Sequence, residues 1–442
     1  MVRALVVGVG PPDTRRLRVL WLSHFLPYPP TGGALQRTHH LLREAARRHE
    51  IHLVALNQRA ILSTAGAVAE AVEHLSGLCS KVEVFPMKWD SSSWRRMMVR
   101  AGSFFTPTPF ETNWLASPRL RDRVTLLLHQ RFDLIHVDSI GLMPFVAARR
   151  ETAVALTHHN VESQLVRRRA EMEQRPLHSL YLHREATKLE EWERRICPEV
   201  AVNITVSHLD RARLTSVAGD VRAVVVENGV DVDYFQPGVS GVPERGGLIF
   251  AGSLGWFANH RAIAHFLEDI WPALRADDPN RTVTFAGRDP PPELLSLKDP
   301  RVIVTGAVPD MRPYLDAASI YVCPIREGGG TRLKILDALA MGKALVATGL
   351  AVEGLDLTAE EHYLRAERPS EYVEQVRRLE SDPALRRRLG TAGRTVVVER
   401  YSWAVIGRKL DAAYQLAMAA RTPTLRPEAV TLRSPVISAS ST

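Results

Sequence analysis

Short apolar runs alternate with longer amphipathic segments from the beginning of the chain. After the apolar run at residues 19–22, apolar side chains recur at helical spacing between residues 34 and 48, and a second apolar run follows at 51–56. Short apolar runs are typical of buried strands, and apolar residues three or four positions apart are typical of helices packed on a core. This stretch therefore predicts a strand, loop, helix, strand unit.

The same alternation continues along the chain and predicts its fold class. Repeated strand and helix units form parallel sheets that are covered by helices on both faces. The pattern therefore predicts an α/β protein with two doubly wound, Rossmann-like domains. Further strands are expected at 82–85, 134–137, 153–157, 200–206, 223–226, 247–251, 281–286, 302–304, 320–324 and 344–347. Further helices are expected at 119–129, 140–150, 259–275, 310–317, 331–341, 369–380, 383–399 and 403–420.

The pattern also divides the chain into segments. The first convincing strand comes only after residue 17, and a long charged stretch at 162–195 has the composition of helices on a domain rim. The end of the chain is rich in Ser, Thr and Pro without sustained periodicity, which is typical of disorder. The expected segments are an N-terminal extension, a first domain, a second domain, a helix that returns to the first domain, and a disordered tail: 1–17, 18–212, 213–402, 403–420 and 421–442.

Composition excludes several protein classes. Of 442 residues, 45% are hydrophobic and 24% are charged, which is ordinary for a globular protein and excludes wholesale disorder or a fibrous repeat. No apolar run approaches the roughly 18 residues of a membrane-spanning helix. The cysteines Cys79, Cys197 and Cys323 lack the spacing of a disulfide framework or a zinc site, so we expect an intracellular protein. A formal net charge of +8 favours anionic partners such as phosphates, nucleotides or acidic lipids. Nucleic-acid binding has only this charge in its favour.

The strongest candidate site follows the strand at 320–324. Three glycines, 328–330, precede Thr331, which is placed to cap the helix at 331–341. Glycines allow backbone N–H groups to approach a phosphate, and a helix N-terminus favours negative charge. Arg332 and Lys334 add cationic donors for a diphosphate, although a tight turn with solvated basic residues is the simpler alternative. Asp337, on an otherwise apolar face, is expected to accept ribose hydroxyls or to lie exposed at the rim.

Two loops of the first domain are weaker candidates. Gly32 and Gly33 directly follow the first strand, where their N–H groups could face an anionic or hydroxyl-rich ligand, but a generic loop fits equally well. The loop after the strand at 153–157 holds His158 and His159. Adjacent histidines can bind a metal, but no nearby carboxylate has the spacing of a closed site. Hydrogen bonding to a substrate is therefore the preferred interpretation, and no metal site is expected.

Taken together, these segments resemble the retaining, GT-B-fold glycosyltransferases of family 4, which include many bacterial polysaccharide and glycolipid transferases. The likeness runs from about residue 18 to 420. It rests on the order of several motifs: Gly32-Gly33, His159-Asn160-Val161-Glu162-Ser163, Asn228-Gly229-Val230-Asp231, Phe250-Ala251-Gly252-Ser253-Leu254 and 328–342.

The resemblance implies two domains facing across a cleft, with the nucleotide-sugar donor in the second domain and the acceptor against the first. It implies that Gly32 and Gly33 lie near the donor diphosphate or the acceptor, that Gly252 belongs to the donor-binding set, and that His159 contacts the transferred sugar. The basic pair that neutralises the diphosphate is usually an Arg and a Lys after the first strand of the second domain. This chain has only Arg261 there, so Arg332 and Lys334 are expected to share that role.

The sequence departs from the family pattern at the donor sugar. The family commonly has two glutamates seven residues apart, one touching the sugar and one touching the ribose. The second position is Asp337 here, and the first is Gly329, which has no side chain. Glu327 stands two residues early, and the main-chain N–H groups of Gly329 and Gly330 could serve instead. The identity of the sugar therefore remains open. The expected donor-binding set also includes Thr331.

The function that the resemblance implies is retaining transfer of a sugar from a UDP- or GDP-linked donor to a glycan or lipid-linked acceptor, with no cofactor and no metal. The expected context is cell-surface polysaccharide or glycolipid synthesis in the cytoplasm or at the inner face of the plasma membrane. The segment from Trp94 to Arg100 suits an anionic membrane surface or a helix face packed on its own domain. The alternatives are a GT-B partner subunit without turnover and a nucleotide-sugar epimerase.

Overall fold

The computed structural model describes residues 15–87, 93–147, 149, 151–327 and 331–420. In these residues the chain forms two parallel sheets, one of seven strands and one of six. The predicted α/β class with two Rossmann-like domains is confirmed. The predictions for the extension at 1–14, for Gly329 and Gly330, and for the tail from residue 421 concern residues outside the described ones.

The first sheet has the strand order β3-β2-β1-β4-β5-β6-β7, and the second has the order β10-β9-β8-β11-β12-β13. The strands of the first sheet are β1 (Arg18–Ser23), β2 (Glu50–Asn57), β3 (Lys81–Pro86), β4 (Leu134–Val137), β5 (Ala153–Thr157), β6 (Val202–Thr205) and β7 (Ala223–Val225). Those of the second are β8 (Leu248–Ala251), β9 (Val283–Ala286), β10 (Val302–Gly306), β11 (Ile320–Cys323), β12 (Ala344–Ala347) and β13 (Leu364–Arg365).

Helices cover both sheets. The helices associated with the first domain are α1 (Gly33–Ala46), α2 (Ala65–Ser76), α3 (Ser93–Phe104), α4 (Phe110–Trp114), α5 (Pro118–Leu127), α6 (Glu162–Met172), α7 (Pro176–Ile196) and α8 (His208–Ala218). Those that follow are α9 (Phe257–His265), α10 (Trp271–Asp277), α11 (Pro292–Leu295), α12 (Arg312–Ala317), α13 (Leu333–Ala340), α14 (Pro369–Ser381), α15 (Pro383–Tyr401) and α16 (Trp403–Ala419). None of these described helices is long and apolar enough to cross a bilayer.

The sheet order determines where a ligand can bind. In each sheet the order reverses beside the first strand, between β1 and β4 and between β8 and β11. Ligands of open parallel sheets bind beyond the carboxyl ends of the strands at such a reversal. The loops after these four strands carry Gly32, Asp138, Gly252 and Arg332. The topology therefore brings the candidate glycines and charges to the two facing sheet edges.

The boundary between the domains lies later than the sequence pattern predicts. The strand at 223–226 was expected to open the second domain, but β7 pairs with β6, with Asn203 opposite Ala223 and Thr205 opposite Val225. The first sheet therefore extends to Val225, beyond the expected boundary between 212 and 213. β7 is a half-buried edge strand of three residues, and its pairing partner is not encoded in its own short apolar pattern.

Two predicted helices are interrupted for local reasons. The segment predicted as a helix at 140–150 forms a 3₁₀ helix at Ile140–Val146, which contains Pro144. The segment predicted at 259–275 is divided into α9, a π-helical turn at Phe266–Ile270, and α10, which has a proline in its first turn. Proline removes a backbone donor and clashes with the preceding turn, so it ends or distorts a regular helix.

The last helix returns to the first domain, as predicted. The hydroxyl Oη of Tyr414 lies 2.9 Å from Nδ1 of His136, and Asp411 Oδ1 lies 2.9 Å from Nε2 of His49. A Cβ placed on Gly407 would lie 2.6 Å from Cβ of Glu44 in α1, so only glycine permits this approach of α16 to α1. The helix therefore closes one side of the first domain with residues from the end of the chain.

The chain crosses between the domains twice, and the two crossings lie side by side. The Val230 N–H donates to the carbonyl of Tyr401 at 2.8 Å, and the Trp403 N–H donates to the carbonyl of Val230 at 3.3 Å. A Cβ on Gly229 would lie 2.7 Å from the Trp403 ring, which leaves room only for glycine. The outgoing and returning segments are thus joined by backbone hydrogen bonds.

Candidate active site

A cavity of ≈ 650 Å³ lies between the two domains. The first domain contributes Gly32, Gly33 and His159 to its lining, and the second contributes residues from the loops after β8 and β11. Eight residues from the predicted site line this cavity: Gly32, Gly33, His159, Gly252, Thr331, Arg332, Lys334 and Asp337. The two sets of candidate residues, far apart in sequence, therefore share one cleft.

The start of α13 supplies the positive charge of the cavity. The helix begins at Leu333, with Arg332 rather than Thr331 at the N-cap position and without a side-chain cap. The expected capping by Thr331 is therefore wrong, because its hydroxyl instead accepts a 2.5 Å hydrogen bond from Nδ2 of Asn228. Arg332 is only 8% exposed, and burial lowers the pKa of its guanidinium. A buried cation at a helix N-terminus favours an anionic ligand.

Lys334 projects from the first turn of α13 onto apolar surface. Its Nζ lies 4.4 Å from the centroid of the Phe250 ring and donates a hydrogen bond to Oδ1 of Asn259. Burial, together with the nearby Arg332 guanidinium, lowers the pKa of Lys334 to about 8, and Cys323 and the Asp337 carboxylate oppose this shift. The ammonium is thus poorly solvated, and an approaching diphosphate would stabilise its charged form.

Asp337 lies one turn further along the same helix. Burial raises the pKa of its carboxyl to about 7, and the nearby ammonium of Lys334 opposes that rise. The expectation of an exposed rim carboxylate is not met, because Asp337 is half-buried and lines the cavity. A desolvated carboxylate of this kind gains free energy by accepting hydrogen bonds, which ribose hydroxyls can donate.

Two glycines of the second domain create the space that these cations need. Gly252 has φ +137°, and a Cβ there would lie 3.2 Å from Nζ of Lys334. Gly287 has φ +147°, and a Cβ there would lie 1.7 Å from the carbonyl oxygen of Gly252. Positive φ and contact this close admit only glycine. The loops after β8 and β9 are therefore packed backbone to backbone at the edge of the cavity.

The glycine loop of the first domain reaches across the cleft. Gly32 has φ +146°, and a Cβ there would lie 3.1 Å from Nη2 of Arg288. A Cβ on Gly33 would lie 3.4 Å from Cδ1 of Leu333, at the start of α13. The N-terminus of α1, which begins at Gly33, thus faces Arg288 and the start of α13 across the cleft.

A buried arginine fixes this loop to the domain connection. Nη1 of Arg37 donates to the carbonyl of Glu227 at 2.8 Å and to Oδ1 of Asn228 at 3.0 Å, and Nη2 donates to the carbonyl of Val226 at 2.7 Å. Asn228 in turn donates to Thr331. Hydrogen bonds therefore run without interruption from α1 to the residue before Arg332.

His159 lies on the opposite wall, next to a carboxylate that the sequence pattern did not reveal. Nε2 of His159 lies 3.3 Å from Oδ1 of Asp138, and Nδ1 of His24 lies 3.8 Å from Oδ2 of the same residue. Asp138 follows β4 directly, just as His158 and His159 follow β5. The rule that ligands bind beyond strand ends, applied to β4 as well, would have identified it.

Sequence models of two related families match the chain over both domains. The model described as "Glycosyltransferase Family 4" matches residues 31–234, and the model described as "Glycosyl transferases group 1" matches residues 245–382. The chain belongs to the group 1, family 4 glycosyltransferases. This enzyme is thus a transferase of the GT-B type, in which two Rossmann-like domains face across a cleft.

Solved structures share the fold of this glycosyltransferase at low sequence identity. Sucrose-phosphate synthase from Thermosynechococcus elongatus superposes with a TM-score of 0.65 at 16% identity, over 90% of this chain and 98% of that one. A glycosyltransferase from Rickettsia africae gives 0.61 at 12% identity, over 91% and 99%. HepE from Anabaena in complex with UDP gives 0.60 at 14% identity, over 89% and 98%. A search of curated protein sequences gave no significant match.

Two predicted donor-binding residues of the glycosyltransferase bind each other. Nε of Arg261 lies 3.2 Å from Oε1 of Glu327, whose side chain is 9% exposed. Burial raises the pKa of Glu327, and the guanidinium of Arg261 opposes that rise. Neither residue is among the described residues that line the cavity. The remaining predicted contacts, Gly329 and Gly330, lie outside the described residues.

Sequence reasoning missed two polar residues of the glycosyltransferase site besides Asp138. Asn259 accepts the hydrogen bond of Lys334, and it stands two positions before Arg261 in the stretch that the resemblance singled out. Arg288 follows β9 and meets Gly32 across the cleft. Both side chains follow strands of the second sheet, but only the packing of the loops shows that they reach the cavity.

One group of metal-ligating atoms occurs in the described part of the glycosyltransferase. One ligand atom each from His24, Asp138 and His159 lie within 4.8 Å of one another. The sequence showed no carboxylate at the spacing of a closed metal site, and the structure brings Asp138 beside His159 because β4 and β5 are adjacent and their ends meet. His24 Nδ1, Asp138 Oδ1 and His159 Nε2 are buried and make no hydrogen bond within the described residues.

Proposed function

We propose that the enzyme transfers a sugar, with retention of anomeric configuration, from a UDP- or GDP-linked donor to a glycan or lipid-linked acceptor. The proposed setting is cell-surface polysaccharide or glycolipid synthesis on the cytoplasmic side of the membrane. The reaction needs no metal ion and no cofactor. The observation that carries this proposal is the placement of buried Arg332 and half-buried Lys334 at the start of α13, opposite Gly32 and Gly33.

The charges of the cleft match a nucleoside diphosphate. A diphosphate would lie against Arg332, Lys334 and the N-terminus of α13. Asp337, one helical turn further along, would accept hydrogen bonds from the ribose hydroxyls. The N–H groups at the start of α1 approach from the first domain. The structure of Anabaena HepE in complex with UDP, which shares this fold, supports UDP as the first nucleotide to test.

The same residues lower the barrier to transfer. As the bond between the anomeric carbon and the diphosphate oxygen breaks, negative charge grows on the diphosphate, and fixed cations and N–H dipoles stabilise it. The acceptor oxygen bonds to the anomeric carbon on the face that the diphosphate leaves, and the acceptor proton passes to the departing phosphate oxygen. The products are a glycoside and a nucleoside diphosphate, so no carboxylate nucleophile is required.

His159 is the proposed contact to the transferred sugar. It lines the cavity from the first domain, and the carboxylate of Asp138 lies behind its ring. The Glu327 carboxylate and the loop that follows it are the proposed contacts on the other side of the sugar. The pairing of Glu327 with Arg261 means that this contact requires the carboxylate to exchange or share its partner.

The test is a binding screen of the full chain against UDP, GDP and ADP and their sugars, by thermal shift and calorimetry. A ligand at about 100 times its Kd stabilises the fold by roughly 2.7 kcal/mol. Lys334→Ala is expected to weaken binding of the preferred nucleotide. Lys298→Ala, which removes an exposed lysine of the same domain, is the matched control and is expected to bind normally.

The outcomes separate the proposal from its alternatives. Saturable binding of one nucleotide sugar, weakened by Lys334→Ala alone, supports the donor site. Release of the nucleoside diphosphate in the presence of an acceptor mixture supports transfer, whereas conversion of the bound sugar to its epimer without release indicates an epimerase. Absence of binding by every nucleotide contradicts the donor site and favours a partner subunit without turnover.

A further inference from the structure

The first domain exposes large apolar side chains on one helix. On α3, Trp94 is 62% exposed, Met97 is 60% exposed and Met98 is 49% exposed, and Phe105, directly after the helix, is 82% exposed. These residues are spaced three, four and seven positions apart, which places them along one face of the helix. This face is directed to solvent rather than to the core of the domain.

Two arginines of α3 lie at the border of this apolar face. The guanidinium of Arg96 lies 4.8 Å from the centroid of the Trp114 ring, and that of Arg100 lies 5.5 Å from the Phe110 ring. Both arginines contact rings of α4 yet remain exposed, whereas the apolar stripe beside them faces outward. A helix on the surface of a water-soluble domain has the reverse orientation. Transfer of this exposed face of α3 from water to an apolar environment would therefore be favourable.

A second element extends this face. Arg184 of α7 donates from Nε to the carbonyl of Phe104 at 2.7 Å, and the ring of Tyr181 stacks on Phe104 with centroids 6.4 Å apart. On the same side of α7, Leu177 is 84% exposed and Leu180 is 60% exposed. Two helices that contact each other thus both expose large apolar side chains, which we together call the α3–α7 surface: Trp94, Met97, Met98, Phe105, Leu177 and Leu180.

Positive charge surrounds the α3–α7 surface. The sequence of α3 contains Arg95, Arg96 and Arg100 but no Asp or Glu. A shallow pocket beside Leu177 is lined by Arg100, Arg169, Arg175 and His178. The nearest carboxylate of the α6–α7 connection, Glu173, is already neutralised because it pairs with Arg175 at 3.0 Å and also binds His178. An apolar face bordered by arginines is complementary to the interface of an anionic bilayer.

The α3–α7 surface is connected to the cleft. α6 starts at Glu162, three residues after His159, and ends at Met172, which is 44% exposed beside the surface. Eleven helical residues extend about 16 Å at 1.5 Å per residue. Arg169 also lies 5.8 Å from the ring of Phe257 in the second domain. The surface therefore lies beside the cleft opening, within reach of an acceptor head group held at a bilayer.

We infer that the α3–α7 surface binds the interface of an anionic lipid membrane and thereby places the cleft over a lipid-linked acceptor. The membrane contact stands on the exposed apolar residues and the surrounding arginines, and only the acceptor rests on the function proposed above. The side chains Trp94, Phe105 and Leu177 enter the acyl boundary, and the arginines contact lipid phosphates.

The experiment is flotation of the full chain with vesicles of phosphatidylcholine, with and without phosphatidylglycerol, at low and high salt. The wild type is expected to float with the anionic vesicles and to be released partly by salt, which screens the arginines. The variant Trp94→Ser/Phe105→Ser/Leu177→Ser is expected to lose about 1,000-fold in partitioning, because each of the three large apolar side chains contributes on the order of one decade. Leu295→Ser/Leu297→Ser, on exposed apolar residues of the second domain, is the matched control and should float normally.

Each outcome of the flotation experiment either supports or overturns membrane binding by the α3–α7 surface. UDP binding, measured in parallel on every variant, reports on the fold and on the donor site independently of the membrane. Flotation of the wild type that is lost in the triple variant while UDP binding persists supports the surface. A wild type that binds UDP but does not float overturns the membrane inference and leaves the donor site intact. Dimerisation of the wild type that the triple variant abolishes, without flotation, also overturns it and assigns the surface to a second copy of the chain.

Discussion

The buried carboxylate of Asp138 lies 3.3 Å from Nε2 of His159. Burial alone would raise the pKa of Asp138, but His159, His24 and His136 hold it at about 2. Thr38 also donates to its Oδ2 at 2.8 Å. The carboxylate is therefore ionised at every pH at which the enzyme would work, and a permanent negative charge lies behind the imidazole that faces the cleft.

We expect Asp138→Asn to impair transfer more than donor binding. The amide keeps the shape of the side chain but removes the charge that orients and stabilises the His159 imidazole, so kcat should fall about 10- to 100-fold, equivalent to roughly 1.4 to 2.7 kcal/mol. The Kd for the nucleoside diphosphate should change less than about twofold, because that contact lies in the second domain. Steady-state kinetics and calorimetry measure the two effects. An equal loss in both would show that Asp138 only supports the fold.

Proton uptake on nucleotide binding is expected near pH 8. The pKa of Lys334 is lowered to about 8 by burial, so the free enzyme is partly deprotonated there, and a bound diphosphate favours the ammonium and raises that pKa. Donor affinity should therefore fall as pH rises through about 8. Calorimetry in buffers of different ionisation enthalpy measures the uptake.

The charged groups that face Lys334 provide the controls for this uptake. Lys334→Met should abolish the uptake near pH 8, whereas Asp337→Asn should leave most of it, because the Asp337 carboxyl titrates lower, at about 7. Arg332 and Cys323 also influence the pKa of Lys334, and burial raises the pKa of the Cys323 thiol, so that this group stays protonated near pH 8. Unchanged uptake in Lys334→Met would exclude Lys334 as the titrating group.

The sequence predicts the site residues on one wall of the cleft better than those on the other. Apolar periodicity predicts β11 and α13, and the charges of Arg332, Lys334 and Asp337 lie on one helix, so their proximity follows from local spacing. The pair of Asp138 and His159 depends on β4 and β5 being neighbours, which involves chain segments about 20 residues apart. Sequence patterns therefore predict sites within one element better than sites that strand order assembles.

The position of β7 and the role of Asn259 illustrate the same limit. β7 is three residues long, and an edge strand of that length can belong to either sheet until its partner is known. Asn259 is an ordinary helical residue by composition, and only the approach of Lys334 from α13 makes it part of the site. Motif order predicted the family, but not these contacts.

Gly287→Ala is expected to be strongly destabilising. A Cβ at this position would lie 1.7 Å from the carbonyl oxygen of Gly252, and φ of +147° disfavours any residue other than glycine. The loss should exceed about 3 kcal/mol in the free energy of unfolding, or the loop must move and weaken nucleotide binding. Thermal and denaturant unfolding measure it.

Gly66 offers a matched control for the same substitution. It lies in α2, and a Cβ there would meet nothing within 4 Å. Gly66→Ala should leave the unfolding free energy unchanged or raise it by up to about 1 kcal/mol, because alanine favours helix. Similar stability in both alanine variants would mean that the loops after β8 and β9 are not packed as described.

Removal of divalent metal ions should leave transfer unchanged. The diphosphate charge is met by Arg332, Lys334 and the N-terminus of α13, so enzyme dialysed against EDTA should retain its kcat within about twofold. A loss that added Zn²⁺ or Mn²⁺ restores would contradict this prediction. In that case His24→Ala, which removes one atom of the candidate cluster, should abolish the restoration.

The paired crossings at Val230 and Trp403 restrict how the cleft can open. Both connections lie at one place and are hydrogen-bonded to each other. Opening of the cleft is therefore a hinge rotation of one domain relative to the other about this point. α16 travels with the first domain, so the pivot lies at its first residue. Small rotations at this edge become the largest displacements at the far rim, which is where donor and acceptor must enter.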